Sequence, residues 1–274
     1  MTMHLRPKPQ LNWKEEKPRN RGRVTLRNLP IRTLTLVLAL ALLCACYLGP
    51  LTREATTVLA VRRELPVYSV DRDDGKIAIS FDASWGGDKT MRLLEILDEY
   101  DVKATFFLVG IWVDKYPELV KAIAEHGHEV ENHSTKHPHM SQLSESRIRE
   151  ELAGVSDKIE ALTGVRPTLF RPPYGDYNNR VVTISRAEGY ECVQWSVDSL
   201  DWKNRGVDDL IKRATSNVQS GDIVLFHNDS DYIVDALPTI LQSYRDQGLT
   251  LVPVGELIYK TPYTIDVQGK QHPV

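Results

Sequence analysis

Residues 76–82 read KIAISFD, a short apolar run that ends in a carboxylate. Such a run is typical of a buried strand. The next segment, residues 90–100, reads TMRLLEILDEY and has the apolar spacing of a helix, and residues 102–110, VKATFFLVG, have the pattern of a second strand. A strand, a helix and a strand in this order form the repeating unit of a parallel sheet.

The same alternation continues through most of the chain. Apolar runs typical of strands recur, and segments with helical spacing separate them. The further predicted strands are residues 128–132, 167–173, 190–196, 222–228 and 249–254, and the further predicted helices are residues 116–127, 144–164, 178–188, 208–219 and 236–248. The pattern predicts an α/β fold with a parallel sheet, either an open doubly wound sheet or a closed or distorted barrel. In each of these folds, ligands bind at the carboxyl ends of the strands.

The charge of the chain is unevenly distributed. Of 34 basic and 37 acidic residues, residues 1–33 hold nine and two, which leaves 25 and 35 for residues 34–274. This acidic body argues against nucleic acid as a partner, because phosphate binding requires a basic face. Cys192 is the one cysteine of the body, so no structural disulfide is expected.

An uncharged segment follows the basic head. Residues 33–52 read TLTLVLALALLCACYLGPLT, which is long enough to cross a bilayer. We predict a basic cytoplasmic head at residues 1–32, a single-pass anchor in the cell membrane at residues 33–52, a stalk at residues 53–73, and a body outside the cytoplasm. A cleaved signal peptide is the alternative, and residues 43–46, LCAC, faintly resemble a lipoprotein cleavage box.

Side chains capable of chemistry follow the predicted strands at the point where each strand ends. Any one of them alone is better explained as part of a solvated loop. Five segments, however, place such residues at the same edge of a parallel sheet. These residues are Asp82, His133, His137, Arg171, Asp198, Asp201 and His227. Their convergence indicates a site built from carboxylates and imidazoles.

The histidines of this set occur in residues 131–140, ENHSTKHPHM. His133 and His137 are four residues apart, so one helical turn would bring both imidazoles to one side. Pro138 disfavours helical geometry at His137, and we therefore expect the pair at the edge of a loop. Histidine is the commonest metal ligand in proteins, so the pair is a candidate metal site, whereas His139 is expected to point elsewhere.

Five short segments carry a resemblance to a known family. They are FDASW (81–85), HSTKHPHM (133–140), RPPYG (171–175), DSLDW (198–202) and LFH (225–227). In this order they resemble the five motifs of the polysaccharide deacetylase family, also called the NodB-homology domain or carbohydrate esterase family 4. The resemblance spans residues 74–260 and leaves residues 261–274 as a C-terminal tail. The form FDASWGG of the first motif, together with the anchor, most resembles the sporulation-associated PdaB-type branch.

The resemblance implies a distorted (β/α) barrel that hydrolyses N-acetyl groups from the amino sugars of an N-acetylated cell-wall polysaccharide, either peptidoglycan or a chitin-like polymer. It also implies a divalent metal cofactor, held here by His133 and His137. Zinc (Zn) is the expected metal, and cobalt (Co), nickel (Ni) and manganese (Mn) suit the same donors. For the substrate, the resemblance implies that the backbone N–H of Tyr174 stabilises the oxyanion. Trp202 and Leu225 would form the walls of the pocket for the acetyl methyl group.

The resemblance also implies roles for four residues in proton transfer. Asp82 would be the general base that activates water, and Arg171 would orient it. His227 would be the general acid that protonates the leaving amine, and Asp201 would tune it. An activated water, charge stabilisation and a protonated leaving group are the three requirements of amide hydrolysis.

The first motif departs from the family pattern at position 83. The family usually has two consecutive aspartates, the second of which binds the metal, whereas this chain has Ala83. A catalytic zinc site normally has three protein ligands, so two histidines alone are expected to bind metal more weakly. Asp82, Asp88 or a water are the candidates to fill the gap, although for Asp88 a role as N-cap of the helix near Thr90 is preferred. Two classes of function follow: a metal-dependent deacetylase, and a catalytically weak or inactive glycan-binding or structural wall protein.

Overall fold

The structure is a computed structural model that describes residues 33, 35–44, 63–260 and 262–274. Residues 33 and 35–44 are helical and exposed. Over the described residues, no helix is both long enough and apolar enough to span a membrane. The predicted head, and the parts of the predicted anchor and stalk at residues 34 and 45–62, lie outside the described residues.

A parallel sheet of eight strands occupies the centre of the unit at residues 63–274. The strands of this unit are β1 (Ser69–Val70), β2 (Lys76–Ala83), β3 (Thr105–Leu108), β4 (Glu129–Asn132), β5 (Leu169–Phe170), β6 (Glu191–Cys192), β7 (Val197–Asp198), β8 (Ile223–His227), β9 (Thr250–Leu251), β10 (Tyr263–Ile265) and β11 (Lys270–Pro273). The order across the large sheet is β6-β5-β4-β3-β2-β8-β7, and β9 pairs with the start of β2. Its pairings are parallel, so the carboxyl ends of the strands lie at one edge. The predicted α/β class is confirmed.

Helices connect the strands and cover the sheet. They are α1 (Thr90–Glu99), α2 (Gly110–Lys115), α3 (Pro117–Glu125), α4 (Glu145–Thr163), α5 (Asn179–Ala187), α6 (Val207–Thr215), α7 (Ile233–Asp246) and α8 (Val254–Leu257). Helix α4 begins where the hydroxyl of Ser144 accepts a hydrogen bond from the backbone N–H of Arg147. It ends at Gly164, whose φ of +74° is the left-handed conformation that glycine favours. Both ends match the predicted boundaries.

Strand β2 places alternate side chains on opposite faces of the sheet. Ile77, Phe81 and Ala83 are fully buried in the core between the sheet and the helices. Ala78 packs in the core on the opposite face of the sheet. The side chain of Asp82 is directed to the same face as that of Ala78. Asp82 and Ala83 are neighbours in sequence but are therefore directed to different sides.

The large sheet curls because the chain crosses from one of its edges to the other within residues 191–198, so the predicted strand at residues 190–196 contains only β6 and the link to β7. Strand β6 lies at one edge of the sheet and β7 at the other. Between them, the backbone N–H of Gln194 donates to the carbonyl of Val67, and that of Ser196 donates to the carbonyl of Ile223. The two edges are thereby drawn towards each other. The fold is a curled parallel half-barrel, which is the form that the predicted distorted barrel takes.

A second, small sheet joins the two ends of the unit. Strand β1 pairs in parallel with β11, and β10 pairs antiparallel with β11. The backbone N–H of Val70 donates to the carbonyl of Gly221. A Cβ at position 221 would lie 1.8 Å from the Val70 carbonyl oxygen, so this close approach requires glycine. The sequence pattern instead places residues 69–70 in the stalk and residues 270–273 in the tail. Strands of two to four residues are too short to give a periodic signal.

Candidate functional site

The carboxyl ends of the strands surround a cavity of about 730 Å³. Seven of the nine residues to which the family resemblance assigns a role line it, namely Asp82, His133, His137, Tyr174, Trp202, Leu225 and His227. The other two, Arg171 and Asp201, are buried and hydrogen-bonded to Asp82 and His227. The remaining lining residues are Ser84, Trp85, Trp195, Asp198, Asn204, Asp229, Ser230 and Asp231.

Asp82 is held by a buried ion pair. Its Oδ1 accepts a hydrogen bond from Arg171 Nη1 at 2.8 Å. The Arg171 guanidinium also lies over the ring of Phe107, 4.1 Å from its centroid, and Nη2 donates to the carbonyl of Gln194 at 3.1 Å. Burial is the largest influence and raises the pKa of Asp82, but the charge of Arg171, together with His133, His227 and the Arg171 hydrogen bond, lowers this pKa below its ordinary value. Asp82 is therefore an ionised acceptor in the wall of the cavity.

His133 faces the same carboxylate. Its Nδ1 lies 2.7 Å from the carbonyl oxygen of Arg171 and donates to it, because a carbonyl can only accept. The neutral ring then has its lone pair on Nε2, which lies 3.4 Å from Asp82 Oδ2. Burial lowers the pKa of His133 despite the nearby Asp82 charge, which favours this neutral form. His133 therefore presents a lone pair at the wall of the cavity, beside the carboxylate of Asp82.

His137 lies beside His133 in a loop, as the following proline predicts. Its φ is +58°, and its backbone N–H donates to Ser134 Oγ at 3.0 Å. The centroids of the two imidazole rings are 5.0 Å apart. Nδ1 of His137 is buried and has no hydrogen-bond partner among the described residues. Burial, together with the neighbouring His133, lowers the pKa of His137 to about 4, so the ring is neutral at neutral pH.

The described residues supply no third ligand to this histidine pair. Within them, no three His, Cys, Asp or Glu side chains are grouped so that they could hold a metal ion. Ala83 is buried on the helix side of β2, and Asp88 is exposed and outside the cavity lining. The prediction of Asp88 as N-cap is wrong. Lys89 is the N-cap of α1, and the backbone N–H of Thr90 donates to the carbonyl of Gly87.

His227 is held by Asp201. Its Nδ1 lies 2.7 Å from Asp201 Oδ1, and its backbone N–H donates to Asp201 Oδ2 at 2.7 Å. The same carboxylate accepts a hydrogen bond from the backbone N–H of Trp202 at 2.8 Å. Burial lowers the pKa of His227, but the hydrogen bond and the charge of Asp201 outweigh burial and raise this pKa above its ordinary value. The second ring nitrogen, Nε2, remains for proton exchange at the cavity.

The three residues expected to contact substrate surround the same opening. Tyr174 lies in a short 3-10 turn with a φ of +59°. Trp202 is largely exposed at the cavity, and Leu225 is nearly buried below it. His139 stacks on the Tyr174 ring, with 4.5 Å between centroids, but does not line the cavity.

Several lining residues were not selected by the sequence analysis. Trp85 lies inside the first motif, and Asp229 and Asp231 closely follow the end of β8. Their position just beyond a strand end was the available signal. Trp195 lies in the link between β6 and β7, and only the curl of the sheet brings that link to the cavity.

Comparison with known proteins accounts for this arrangement. Residues 69–193 match the family model described as polysaccharide deacetylase. A peptidoglycan-N-acetylglucosamine deacetylase of Bacillus cereus is 35% identical over 210 residues, which cover 73% of this chain and 98% of that protein. The chain belongs to the polysaccharide deacetylase family. The uncharacterized protein YlxY of Bacillus subtilis is 36% identical over 196 residues, which are 72% of this chain and 61% of YlxY, so the chain spans less than two thirds of that relative.

Solved structures of the polysaccharide deacetylase family share the fold. Wild-type BA3943 of Bacillus anthracis, described as a CE4 family pseudoenzyme, has a TM-score of 0.68 at 35% identity, covering 70% of this chain and 68% of that chain. A mutant of BA3943, described as having restored enzymatic activity, has a TM-score of 0.68 at 36% identity and covers 70% of each chain. The family thus includes proteins described as deacetylases and proteins described as pseudoenzymes. The Bacillus cereus deacetylase, YlxY and BA3943 do not carry the PdaB name, so the predicted branch is not confirmed.

Proposed function

We propose that this chain is a metal-dependent hydrolase that removes N-acetyl groups from the amino sugars of a cell-wall polysaccharide. The observation that carries the proposal is the pairing of Asp82 with His227, which are direct partners on β2 and β8. Arg171 holds Asp82 ionised, and Asp201 raises the pKa of His227. A base and an acid thus meet at one cavity, as amide hydrolysis requires.

His133 and His137 are the residues that would hold a divalent ion. The lone pair of His133 Nε2 beside Asp82 Oδ2, and the unpartnered Nδ1 of His137, fit such a group. Zinc suits two imidazoles, as do cobalt, nickel and manganese. A bound ion would supply Lewis-acid polarisation of the acetyl carbonyl. Because the described residues provide no third ligand, we expect weaker metal binding than at a three-ligand site.

The side chains of this chain provide the proton transfers. Asp82 takes a proton from the water that attacks the acetyl carbon, and Arg171 keeps the carboxylate in position. His227 gives its Nε2 proton to the sugar nitrogen as the C–N bond breaks, so that acetate and a free amine leave. Asp201 stabilises the imidazolium form of His227 before this transfer. A proton passed from Asp82 to His227 through solvent restores the starting state.

Three further residues would hold the acetyl group. The left-handed turn at Tyr174 supports a backbone N–H directed at the oxyanion that develops on the acetyl oxygen. Trp202 and Leu225 supply apolar surface at the cavity for the methyl group. Such donors and walls stabilise the transition state only when they are fixed in advance.

The reaction is tested by measuring both products. The purified chain, supplied with zinc and an N-acetylglucosamine oligosaccharide, should release acetate and free amine in equal amounts, and a chelator should stop both. Asp82→Asn is the matched control, because it keeps the shape of the side chain and removes the base. The absence of both products, or their release at an unchanged rate by Asp82→Asn, would count against the proposal.

The pH dependence of turnover is expected to change in Asp201→Asn. Turnover needs protonated His227, and its raised pKa keeps the ring protonated to higher pH. Without the Asp201 charge, the pKa of His227 falls. As the pH is raised, His227 then loses its proton, and the enzyme its activity, at a lower pH than in the unmodified chain. The rate of acetate release measured against pH should therefore show its alkaline limb displaced to lower pH. An unmoved limb would show that His227 is not the titrating acid.

Metal affinity is expected to increase in Ala83→Asp. An aspartate would restore the second carboxylate of the first motif at the last residue of β2. A bound ion would draw this carboxylate out of the helix-side core to the strand end as a third, anionic ligand, which tightens metal binding. We expect turnover to be equal or greater. Because position 83 is fully buried against the helix-side core, the carboxylate should lower the stability of the metal-free chain. Its melting temperature should then rise more on zinc addition than that of the unmodified chain.

Ala83→Asn is the matched control for this substitution, since it has the same shape and no charge. Zinc titration and acetate release are compared for the three chains at one pH. Equal zinc affinity in all three would mean that another group already occupies the position, or that the histidine pair binds no metal.

Glycan binding without turnover is the second candidate function. Ala83 supplies no ligand at the metal position, and BA3943, which shares the fold, is described as a pseudoenzyme. Retention of the Asp82–Arg171 and His227–Asp201 pairs favours the enzyme, because binding alone needs neither an acid nor a base. Acetate release at full metal loading separates the two functions.

We further propose that an anchor at residues 33–52 holds the body outside the cytoplasm. The uncharged run behind nine basic residues supports this topology. Protease added to intact, wall-stripped cells should digest the body while a cytoplasmic marker survives. Protection of both proteins would show that the topology is wrong.

The assignment to a PdaB-type branch likewise stays a proposal, supported by FDASWGG at residues 81–87.

A further inference from the structure

Exposed aromatic rings form a row along the rim of the cavity. Trp85 and Tyr174 are 60% and 61% exposed. The ring of His137 lies between them, 6.0 Å from Trp85 and 4.5 Å from Tyr174 between centroids. Large aromatic side chains usually bury about 150–250 Å² each, so two of them left exposed at one cavity indicate a surface that a ligand covers. Trp85 has no part in the proton transfers proposed above.

The other part of the rim is acidic. Asp198, Asp229 and Asp231 line the cavity, and its described lining includes no lysine or arginine. These carboxylates follow β7 and β8, whereas His137 and Tyr174 follow β4 and β5. Trp85 follows β2, the neighbour of β8, and lies where the two parts meet, because the backbone N–H of Gly86 donates to Asp229 Oδ2 at 3.2 Å. Two lysines lie beside this part of the rim without lining the cavity: Lys89 Nζ is 3.6 Å from Asp231 Oδ1, and Lys203 Nζ lies over the Trp202 ring, 4.9 Å from its centroid. Three carboxylates therefore line this side of the cavity, and no lysine or arginine of the described lining faces them.

The two parts of the rim fit different groups of one ligand. The apolar face of a pyranose ring can stack on an exposed tryptophan, as amphipathic ligands do on aromatic walls. Carboxylates across the opening attract an ammonium group, and they repel a ligand that carries carboxylates of its own. A hexosamine chain with some free amino groups satisfies both parts.

We propose that Trp85 is a specificity-determining residue, the platform for the sugar ring next to the one that reacts, and that the acidic rim makes this cleft prefer glycans already bearing free amines. The inference rests on the proposed function, because it assigns the substrate of the same cavity. It has a chemical consequence. Each deacetylation creates the amine that the rim attracts, so N-acetyl groups should be removed in runs along one chain.

Binding measured without added metal tests this inference independently of turnover. The full chain is titrated calorimetrically with three oligosaccharides of equal length: fully N-acetylated, partly deacetylated, and bearing muramic acid carboxylates. We expect the partly deacetylated chain to bind about tenfold more tightly than the N-acetylated one, and the anionic chain to bind most weakly. The advantage of the amine-bearing chain should shrink as salt screens the rim.

Variants separate the two parts of the rim. Trp85→Ala should weaken binding of all three oligosaccharides about tenfold, whereas Trp85→Phe should retain most of it. Asp231→Asn should reduce only the preference for amines. Asp73→Asn removes an exposed charge just before the start of β2, at the other end of the strand from the cavity, and should change nothing.

Unchanged binding in Trp85→Ala, or equal affinity for the anionic and amine-bearing chains, would overturn the inference. Neither result depends on acetate release. A chain that binds these glycans with the expected order but releases no acetate would refute the proposed catalysis and leave the assignment of Trp85 intact.

Discussion

The His227→Ala variant is expected to lose about 10²–10⁴-fold in turnover while keeping its fold and its metal affinity. Its imidazole is the group proposed to protonate the leaving amine, and it is not a proposed metal ligand. Loss of the ring leaves Asp201 with two backbone donors, the N–H groups of residue 227 and Trp202, so the buried carboxylate stays hydrogen-bonded. Acetate release, circular dichroism and zinc titration measure the three properties.

His133→Ala provides the contrast. It removes an imidazole whose Nε2 is directed at Asp82, and we expect it to lose zinc binding as well as turnover. Equal loss of zinc in the two variants would show that the acid and the ligand have been assigned wrongly.

The free energy of unfolding is expected to fall by about 3–5 kcal/mol in Arg171→Ala. Arg171 is fully buried, and its partner Asp82 would remain in the interior as an uncompensated charge. The substitution also removes the guanidinium from the ring of Phe107 and from the carbonyl of Gln194. Urea unfolding followed by circular dichroism measures the difference.

Arg92→Ala is the control for this prediction. Arg92 forms ion pairs with Glu95 and Glu99 on the exposed face of α1, and surface pairs of this kind contribute about 0–1 kcal/mol. The double variant Arg171→Met with Asp82→Leu removes both buried charges and should lose less stability than Arg171→Ala alone. A loss in Arg171→Ala no larger than that in Arg92→Ala would show that the buried pair contributes no more than a surface pair.

The ends of the long strands could be predicted from sequence because their patterns are strong. Asp82 is the last but one residue of β2 and His227 is the last residue of β8, so each lies at the strand end where the pattern predicts it. The helical spacing, Ser144 and Gly164 likewise fixed the ends of α4. These features depend on local periodicity and capping, which are visible in a single chain.

Other features depend on tertiary geometry and could not be predicted. Residues 190–196 have one apolar pattern, yet only Glu191 and Cys192 of them form a strand. The chain then crosses to β7 at the opposite edge of the sheet, because its hydrogen bonds change partner at Gln194. The direction of Ala83 follows from strict alternation after Asp82, whereas the family motif alone suggested that the two positions lie together. Trp195 reaches the cavity only because the sheet curls, since it lies in the link between β6 and β7.

Turnover measured against bound metal is the most direct test of the proposed function. The unmodified chain is freed of metal, titrated with zinc, and assayed for acetate released from an N-acetylglucosamine oligosaccharide at each occupancy. Because His133 and His137 are expected to hold the ion weakly but to complete the site, acetate release should rise in proportion to bound zinc and disappear on chelation. No acetate at full occupancy, or equal release by the metal-free chain, would contradict the proposal that this protein is a metal-dependent deacetylase.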